Sequence, residues 1–263
     1  MSGLSIPAQL LRGFAVDFLT AHAPAAAEVI MSPRYRLSIG GHVFDGRDKS
    51  YLPATVAQLE QFPGLCVTVH DVVLSPDGVA MRFTEHGASA GSGVLSTWGG
   101  ITLFRLQEGQ LEHGWAEEDY FARKRQLKSG EPDAILPPHV APWDRPVEAA
   151  QRETEALVRH WLDQPAALFQ DVEEISAQGP LLGDLIEPEN ILVSFLFTAG
   201  NRAAVHARVS GQYRGGFADV TGRIGTHVTV PVAAIIDVAD GAIRRVQLCG
   251  DRLGLNRARR PPR

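Results

Sequence analysis

Cysteine is scarce in this chain: there are two among 263 residues, Cys66 and Cys249, far apart and each within a strand-like run. That count excludes a disulfide framework and fits buried free thiols in a reducing compartment. Metal-ligand spacing is also missing. The nine histidines scatter from His22 to His227 without paired helical spacing, so no metal is expected. No G-x-G-x-x-G opens a helix after a strand and no G-x-x-x-x-G-K-S/T occurs, so no cofactor is expected. No stretch is apolar for 18 residues, and MSGLSIPAQLLRGF lacks a basic leader followed by an apolar core. The expectation is a soluble cytoplasmic protein with no membrane partner. A dominant charge sign is absent too: a net −5 with both signs interspersed gives no general attraction to nucleic acid or acidic lipid. The basic cluster Arg257, Arg259, Arg260 and Arg263 beside two prolines reads as a solvated end.

What is present is enough apolar material, 44%, for two cores, and one unit that recurs. From Gly93 to Leu127 small or polar residues alternate with apolar ones through Leu95, Thr97, Ile101 and Leu103. Gln107-Glu108-Gly109 forms a tight connection, and alternation resumes at Leu111, His113 and Trp115. This predicts a long β-hairpin that delivers Glu117, Glu118 and Asp119 to the start of a short closing helix, where anions are favoured. The grammar returns from Ala233, with Gly109 matching Gly241 and Asp119 matching Asp251 at an offset of 132 residues. Two units are therefore expected: residues 1–128, a linker over 129–146 containing five prolines, and an abbreviated second copy over 147–263.

In chain order, residues 6–20 place Leu10, Leu11, Phe14, Phe18 and Leu19 on one helical stripe. A short helix from Pro24, a strand over 35–39, a loop over 40–47 and a helix over 48–62 are expected next. Strands over 65–74 and 79–86 then flank the turn Ser75-Pro76-Asp77-Gly78. Helices followed by an antiparallel meander define an α+β class, a curved sheet with helices across its open face. The linker's Ile135, Leu136 and Trp143 are expected to wrap onto a neighbouring domain. The second unit shows one clear helix, 147–162, then a stretch broken by Gly179-Pro180, Gly183 and Pro188, then four strands.

The run MRFTEHGAS, the glycine-rich interval after it, WGGITLFRLQEGQLEHGWAEED, and YRLSIGGHVFDGRD together resemble the SnoaL-like polyketide cyclase branch of the NTF2-like superfamily over residues 6–127. The resemblance implies two cone-shaped α+β barrels, the second degenerate, and a deep pocket in the first. It implies chemistry only loosely, because the fold serves cyclases, isomerases, dehydratases, epoxide hydrolases and binders. It also implies an acid/base aspartate at the position of Ala116 and a histidine partner at Thr102. Neither residue type stands there. Leu248 and Ala234 occupy the matching places in the second unit.

The catalytic candidates are therefore Glu117, His113 and Asp119. A carboxyl facing an apolar cone beside Trp115 would have its pKa raised, and His113 shares a strand face with Trp115 and Glu117. Tyr35, His42, Asp45, Glu85, Trp98 and Trp115 are candidates for the pocket, with Arg47, His70 and His86 as further polar residues that could line it. Glu85 and His86 cannot share a strand face. The reading is a cofactor-independent enzyme using acid/base chemistry on a small apolar carbonyl or polyketide-like molecule. Its alternative is a non-catalytic binding or assembly protein whose tandem forms an intramolecular pseudo-dimer, with further oligomerisation left open.

Overall fold

The computed structural model describes residues 3–175, 178–220 and 222–259. Ser5 caps α1 (Ile6–Arg12) by accepting the Ala8 amide, and Pro7 sits in the first turn where its missing donor costs nothing. The helix runs on through a wider π-helical segment, Gly13–Thr20, burying Leu10, Leu11, Phe14, Phe18 and Leu19 as expected. Next come α2 (Ala25–Ile30) and β1 (Met31–Ile39). The loop expected over 40–47 contains a strand, β2 (His42–Asp45), paired antiparallel with β1. Gly40 and Gly41 both take positive φ, 54° and 76°, which suits a two-residue hairpin turn that glycines adopt without strain.

A second π-helical turn leads into α3 (Leu52–Gln61), followed by β3 (Cys66–Leu74), β4 (Gly78–Ala88), β5 (Leu95–Gln107), β6 (Gln110–Glu118) and α4 (Tyr120–Ser129). The sheet order is β2-β1-β6-β5-β4-β3, with β1 and β6 parallel. Its two faces follow the two-residue period of strands. Val72, Leu74, Val79, Met81, Phe83 and Phe104 meet the helices, whereas Val73, Ala80, Ile101 and Leu103 face away from them.

Residues 130–151 are extended apart from one short turn, and they adhere to the first unit. The His139 amide donates to the Val69 carbonyl and the Glu148 amide to that of Leu74. Trp143 packs on the helical core, while Ile135 and Leu136 remain substantially exposed, so the expected wrapping holds for the tryptophan only. The second unit comprises α5 (Arg152–Leu162), β7 (Glu173–Glu174), α6 (Leu182–Leu185), β8 (Ile186–Ala199), β9 (Arg202–Tyr213), β10 (His227–Ala239), β11 (Ala242–Gly250) and α7 (Arg252–Arg259). Its sheet order is β7-β11-β10-β9-β8, again with a parallel pair, β11 and β7.

The two hairpins keep the offset of 132 residues at every boundary: 95–107 against 227–239, and 110–118 against 242–250. Both turn on an acidic residue and a glycine at positive φ, Glu108-Gly109 and Asp240-Gly241. Both following helices begin with an aspartate that accepts the amide three residues on, Asp119 from Ala122 and Asp251 from Gly254. The interiors differ. On the inner face of the second sheet, Tyr213, Phe217, Leu168, Leu182, Leu185 and Val230 form a packed core.

The two sheets pack face to face. Val73, Ala80, Ile101 and Leu103 of the first meet Ala199, Ala204, Ala233, Ile235 and Cys249 of the second. Small residues let the backbones approach, and a Cβ on Gly78 would stand 2.8 Å from the Phe197 ring. Charged pairs tie the edges: Arg202 bridges Asp71 at 2.5 Å and Asp237 at 2.6 Å, and Arg82 meets Glu173 at 2.7 Å. Among the described residues no helix is long and apolar enough to cross a membrane.

Candidate functional site

The first cone encloses a cavity of about 710 Å³. Phe14 and Leu19 from the first helical segment, Leu37 and Ile39 from β1, Phe44 from β2 and Phe83 from β4 make its wall apolar. At its floor stand two carboxylates, Glu85 on β4 and Glu118 on β6. In the sheet register Glu85 lies opposite Trp98 and Glu118 opposite Gly100, positions of equal parity on β5, so both side chains project from the same face. Two strand spacings, about 10 Å, separate their backbones, and the Glu118 charge acts on Glu85 across β5. Gly100 leaves the room for this: a Cβ there would lie 2.7 Å from the Phe83 ring, 2.9 Å from Glu118 Cγ and 3.0 Å from the Glu117 carbonyl. Gly100→Ala is therefore expected to destabilise the fold by about 1–3 kcal/mol through overpacking and to displace Glu118. Urea denaturation of the variant checks this, and an unchanged midpoint would show that the gap is not needed.

Both carboxylates are held. Gln58 Nε2 donates to Glu85 Oε2 at 2.8 Å, and the Trp98 indole N–H donates to Glu118 Oε2 at 2.9 Å. The Tyr120 hydroxyl lies beside Glu118. Arg123 covers the group, its guanidinium 4.2 Å from the Tyr120 ring centroid and 4.9 Å from that of Trp98. Burial pushes the Glu85 carboxyl well above the usual carboxylate range, and the neighbouring Glu118 charge pushes it further. Burial also raises Glu118, though Tyr120, Arg123 and Trp98 oppose the shift. Both shifts favour the protonated forms, and the Glu118 charge adds to the preference for a proton on Glu85.

The catalytic candidates read from the sequence lie elsewhere. His113, Trp115 and Glu117 do share a strand face, but it is the face that meets the second sheet rather than the cavity. The Trp115 ring stacks between His113, centroids 3.6 Å apart, and Phe195 of the second unit at 4.4 Å. His113 Nε2 meets the Ser38 hydroxyl at 3.2 Å, and burial lowers its pKa to about 4. Glu117 reaches His206 Nε2 at 3.1 Å and accepts the Gly40 amide at 3.3 Å. Burial raises Glu117 well above its ordinary range and lowers His206 to about 4, so the contact favours the uncharged form of both groups. Asp119 caps α4 and pairs with Arg252 at 2.5 Å, both almost fully buried. Trp115, Glu117 and Asp119 thus reach the second unit, and the odd-numbered residues of β6 face away from the cavity.

Of the pocket candidates, His42 and Glu85 line the cavity. Trp98 sits behind it as the donor to Glu118, a positioning part. Tyr35 is buried in the helical core against Tyr51 and Phe104, and Asp45 is exposed and paired with Arg36 and Lys49. Arg47 binds Asp48 and the Met31 carbonyl, His70 binds Thr84, and His86 binds Thr68. Sequence reasoning missed Glu118 as the inward acid, and with it Gln58, Tyr120 and Arg123. Ala116 and Thr102 both line the cavity and face each other across the ladder. The same parity two residues along β6 points to Glu118, a signal the sequence already held. Among the described residues no cluster of three histidines, cysteines or carboxylates has metal-binding geometry.

A curved sheet roofed by helices around a pocket with acids at its floor defines an NTF2-like α+β cone. Residues 9–127, a little under half of the chain, match the family model of SnoaL-like polyketide cyclases. Among solved structures the chain is similar to IdmH from Streptomyces antibioticus, described as a putative polyketide cyclase, at 19% identity over 46% of this chain and 98% of that one, with a TM-score of 0.42. It is similar to TsrD from Streptomyces laurentii at 23% identity over 48% and 98%, with a TM-score of 0.43. It is also similar to an LEH-like epoxide hydrolase from M. tuberculosis at 11% identity over 48% and 92%, with a TM-score of 0.42. No curated protein matches the chain at a significant level.

Proposed function

We propose that the first cone is the active site of a cofactor-independent enzyme acting on a small, largely apolar carbonyl or polyketide-like substrate, with Glu85 and Glu118 as its acid/base pair. The supporting observation is the placement of two buried carboxylates, one raising the pKa of the other, at the floor of a cavity with a largely apolar wall. Glu118, whose upward shift is opposed by Tyr120, Arg123 and Trp98, is the base. It takes the proton from the carbon next to the carbonyl as that C–H bond breaks. Glu85, the more strongly raised, gives its proton to the carbonyl oxygen, so the intermediate is a neutral enol and Arg123 balances the one remaining charge. Cyclisation, isomerisation and dehydration proceed from such an enol, and epoxide opening uses the same acid and base on a different bond.

The test is deuterium uptake from D2O into a panel of enolisable ketones, from cyclohexanone through 2-tetralone to anthrone, followed by mass spectrometry. Exchange above the buffer rate is expected for at least one ketone, and Ala116→Trp, which fills the cavity, should abolish it. Exchange at the buffer rate for the whole panel would overturn the proposal. Binding without chemistry is the second reading, and Ala116 and Thr102 at the family's acid/base positions favour it. It predicts saturable binding of the same ketones without exchange.

We further propose the division into units at 1–128 and 147–263 with a linker over 129–146, the second unit being a degenerate copy joined to the first as a pseudo-dimer. The constant 132-residue offset and the face-to-face sheets support this.

A further inference from the structure

The cavity of the first unit is not lined by the first unit alone. Asp251, Leu253, Gly254, Arg257 and Ala258, all from the second unit's last loop and helix, face it. They are carried there because α7 follows β11, whose sheet packs on the first. Arg252 at the first turn of α7 is anchored to Asp119 at 2.5 Å and to the Pro180 carbonyl at 3.0 Å. Gly40, at the tip of the β1-β2 hairpin, meets the start of α7: a Cβ there would lie 3.5 Å from Asp251 Oδ2. The second cone is filled with side chains, so its helix serves its neighbour's cavity instead.

The charges along the cavity run in a definite order. Acids stand at the floor, the wall is apolar, and Arg257 and His42 are exposed lining residues at the rim. Arg123, the cavity's other arginine, is committed to the floor between aromatic rings. Asp251, the rim's acid, has Oδ1 engaged by the Gly254 amide at 2.7 Å. Arg257 has no ion pair or hydrogen bond among the described residues, and its guanidinium offers a planar fork suited to a carboxylate.

We propose that α7 is the closing wall of the substrate pocket, with Leu253 packing on the substrate's apolar body and Arg257 binding an anionic group, a carboxylate, at its outer end. The substrate class is then an amphipathic keto acid: carbonyl inward, apolar middle, carboxylate at the rim. This rests on the reading of the first cone as a substrate pocket and extends it to a named recognition group.

The test is equilibrium binding, by fluorescence or calorimetry, of 6-acetyl-2-naphthoate and its methyl ester, which differ in charge and little in shape. The wild-type protein is expected to bind the acid about tenfold more tightly than the ester, the scale of one charge-assisted hydrogen-bond pair. In Arg257→Gln the ratio should fall to within about twofold of unity, and Arg257→Lys should restore part of it. Leu253→Trp should weaken both ligands by about tenfold, which reports the wall independently of the charge. Equal affinity of the wild type for the two ligands, including no measurable affinity for either, overturns the proposal, as does a ratio that survives Arg257→Gln. The readout is binding, so loss of exchange in the ketone panel with the acid preference intact would remove the acid/base reading and leave this one standing.

Discussion

Glu118→Gln is expected to lower the deuterium-exchange rate by about 10²–10⁴-fold, the usual contribution of a positioned general base, while making the protein more stable at pH 8. The amide keeps the shape of the side chain and an oxygen to accept the Trp98 indole, so the pocket should persist. What it loses is the charge. Burial and Glu118 hold Glu85 far above its reference value of 4.5, and Glu118 is itself raised from 4.5. Carboxyls with raised folded-state pKa bind more protons folded than unfolded. Their contribution is therefore fully favourable below about pH 4.5 and declines as pH rises from there toward the folded pKa values. The wild type should lose stability over that window. Glu118→Gln removes one charge and relieves its neighbour, so the decline should flatten, whereas the rate should lose its dependence on the base. Urea denaturation at pH 5, 7 and 8 alongside exchange rates decides it. A variant that is less stable than wild type at pH 8, or one that exchanges at the wild-type rate, would show that Glu118 is a structural acid.

Much of this architecture was legible in the residues, and the failures have one physical source. Both hairpins, their glycine turns and the capped helices after them follow from local patterns, because the alternation of Leu111, His113 and Trp115 and the pairs Glu108-Gly109 and Asp240-Gly241 encode backbone geometry directly. Parity was legible too: His113, Trp115 and Glu117 do share a face, and Glu85 and His86 do not. Which face points into the cone was not. Gly114 through Asp119 are buried on both faces of the sheet, one against the cone and the other against the second unit, so alternation carries no label for inside. A displacement of one residue then exchanges Glu117 for Glu118, a cross-sheet contact for the acid at the floor. The missing strand over 42–45 has a similar cause: its glycines signal a turn, and its four residues are too short for periodicity. The role of α7 was out of reach, since no local pattern announces that a helix will close a cavity formed some 130 residues earlier in the chain.

Arg252→Met should cost about 3–5 kcal/mol of stability, the range for breaking a fully buried ion pair from one side. Arg252 and Asp119 are 2% and 3% exposed in their side chains, and the guanidinium also satisfies the carbonyls of Pro180 at 3.0 Å and Gln178 at 3.2 Å. Removing the cation leaves the Asp119 carboxylate buried with the Ala122 amide as its one hydrogen-bond partner among the described residues, and it takes away the donor to the Pro180 carbonyl. Asp119→Asn in the Arg252→Met background removes that stranded charge while keeping an oxygen to cap α4, so the double variant is expected to regain a large part of the loss. The cycle separates a buried pair from a packing role. If the methionine merely fitted poorly, Asp119→Asn would add its own cost instead of offsetting it. Because Arg252 also fixes the start of α7, the single variant should loosen the wall that carries Leu253 and Arg257, and 6-acetyl-2-naphthoate should bind more weakly at a temperature where the protein is still folded. A change of less than about 1 kcal/mol in urea would place Arg252 with exposed pairs that contribute little. The second unit's hold on the first would then rest on the apolar contact of the two sheets and on the pairs Arg202–Asp71 and Arg82–Glu173 at their edges.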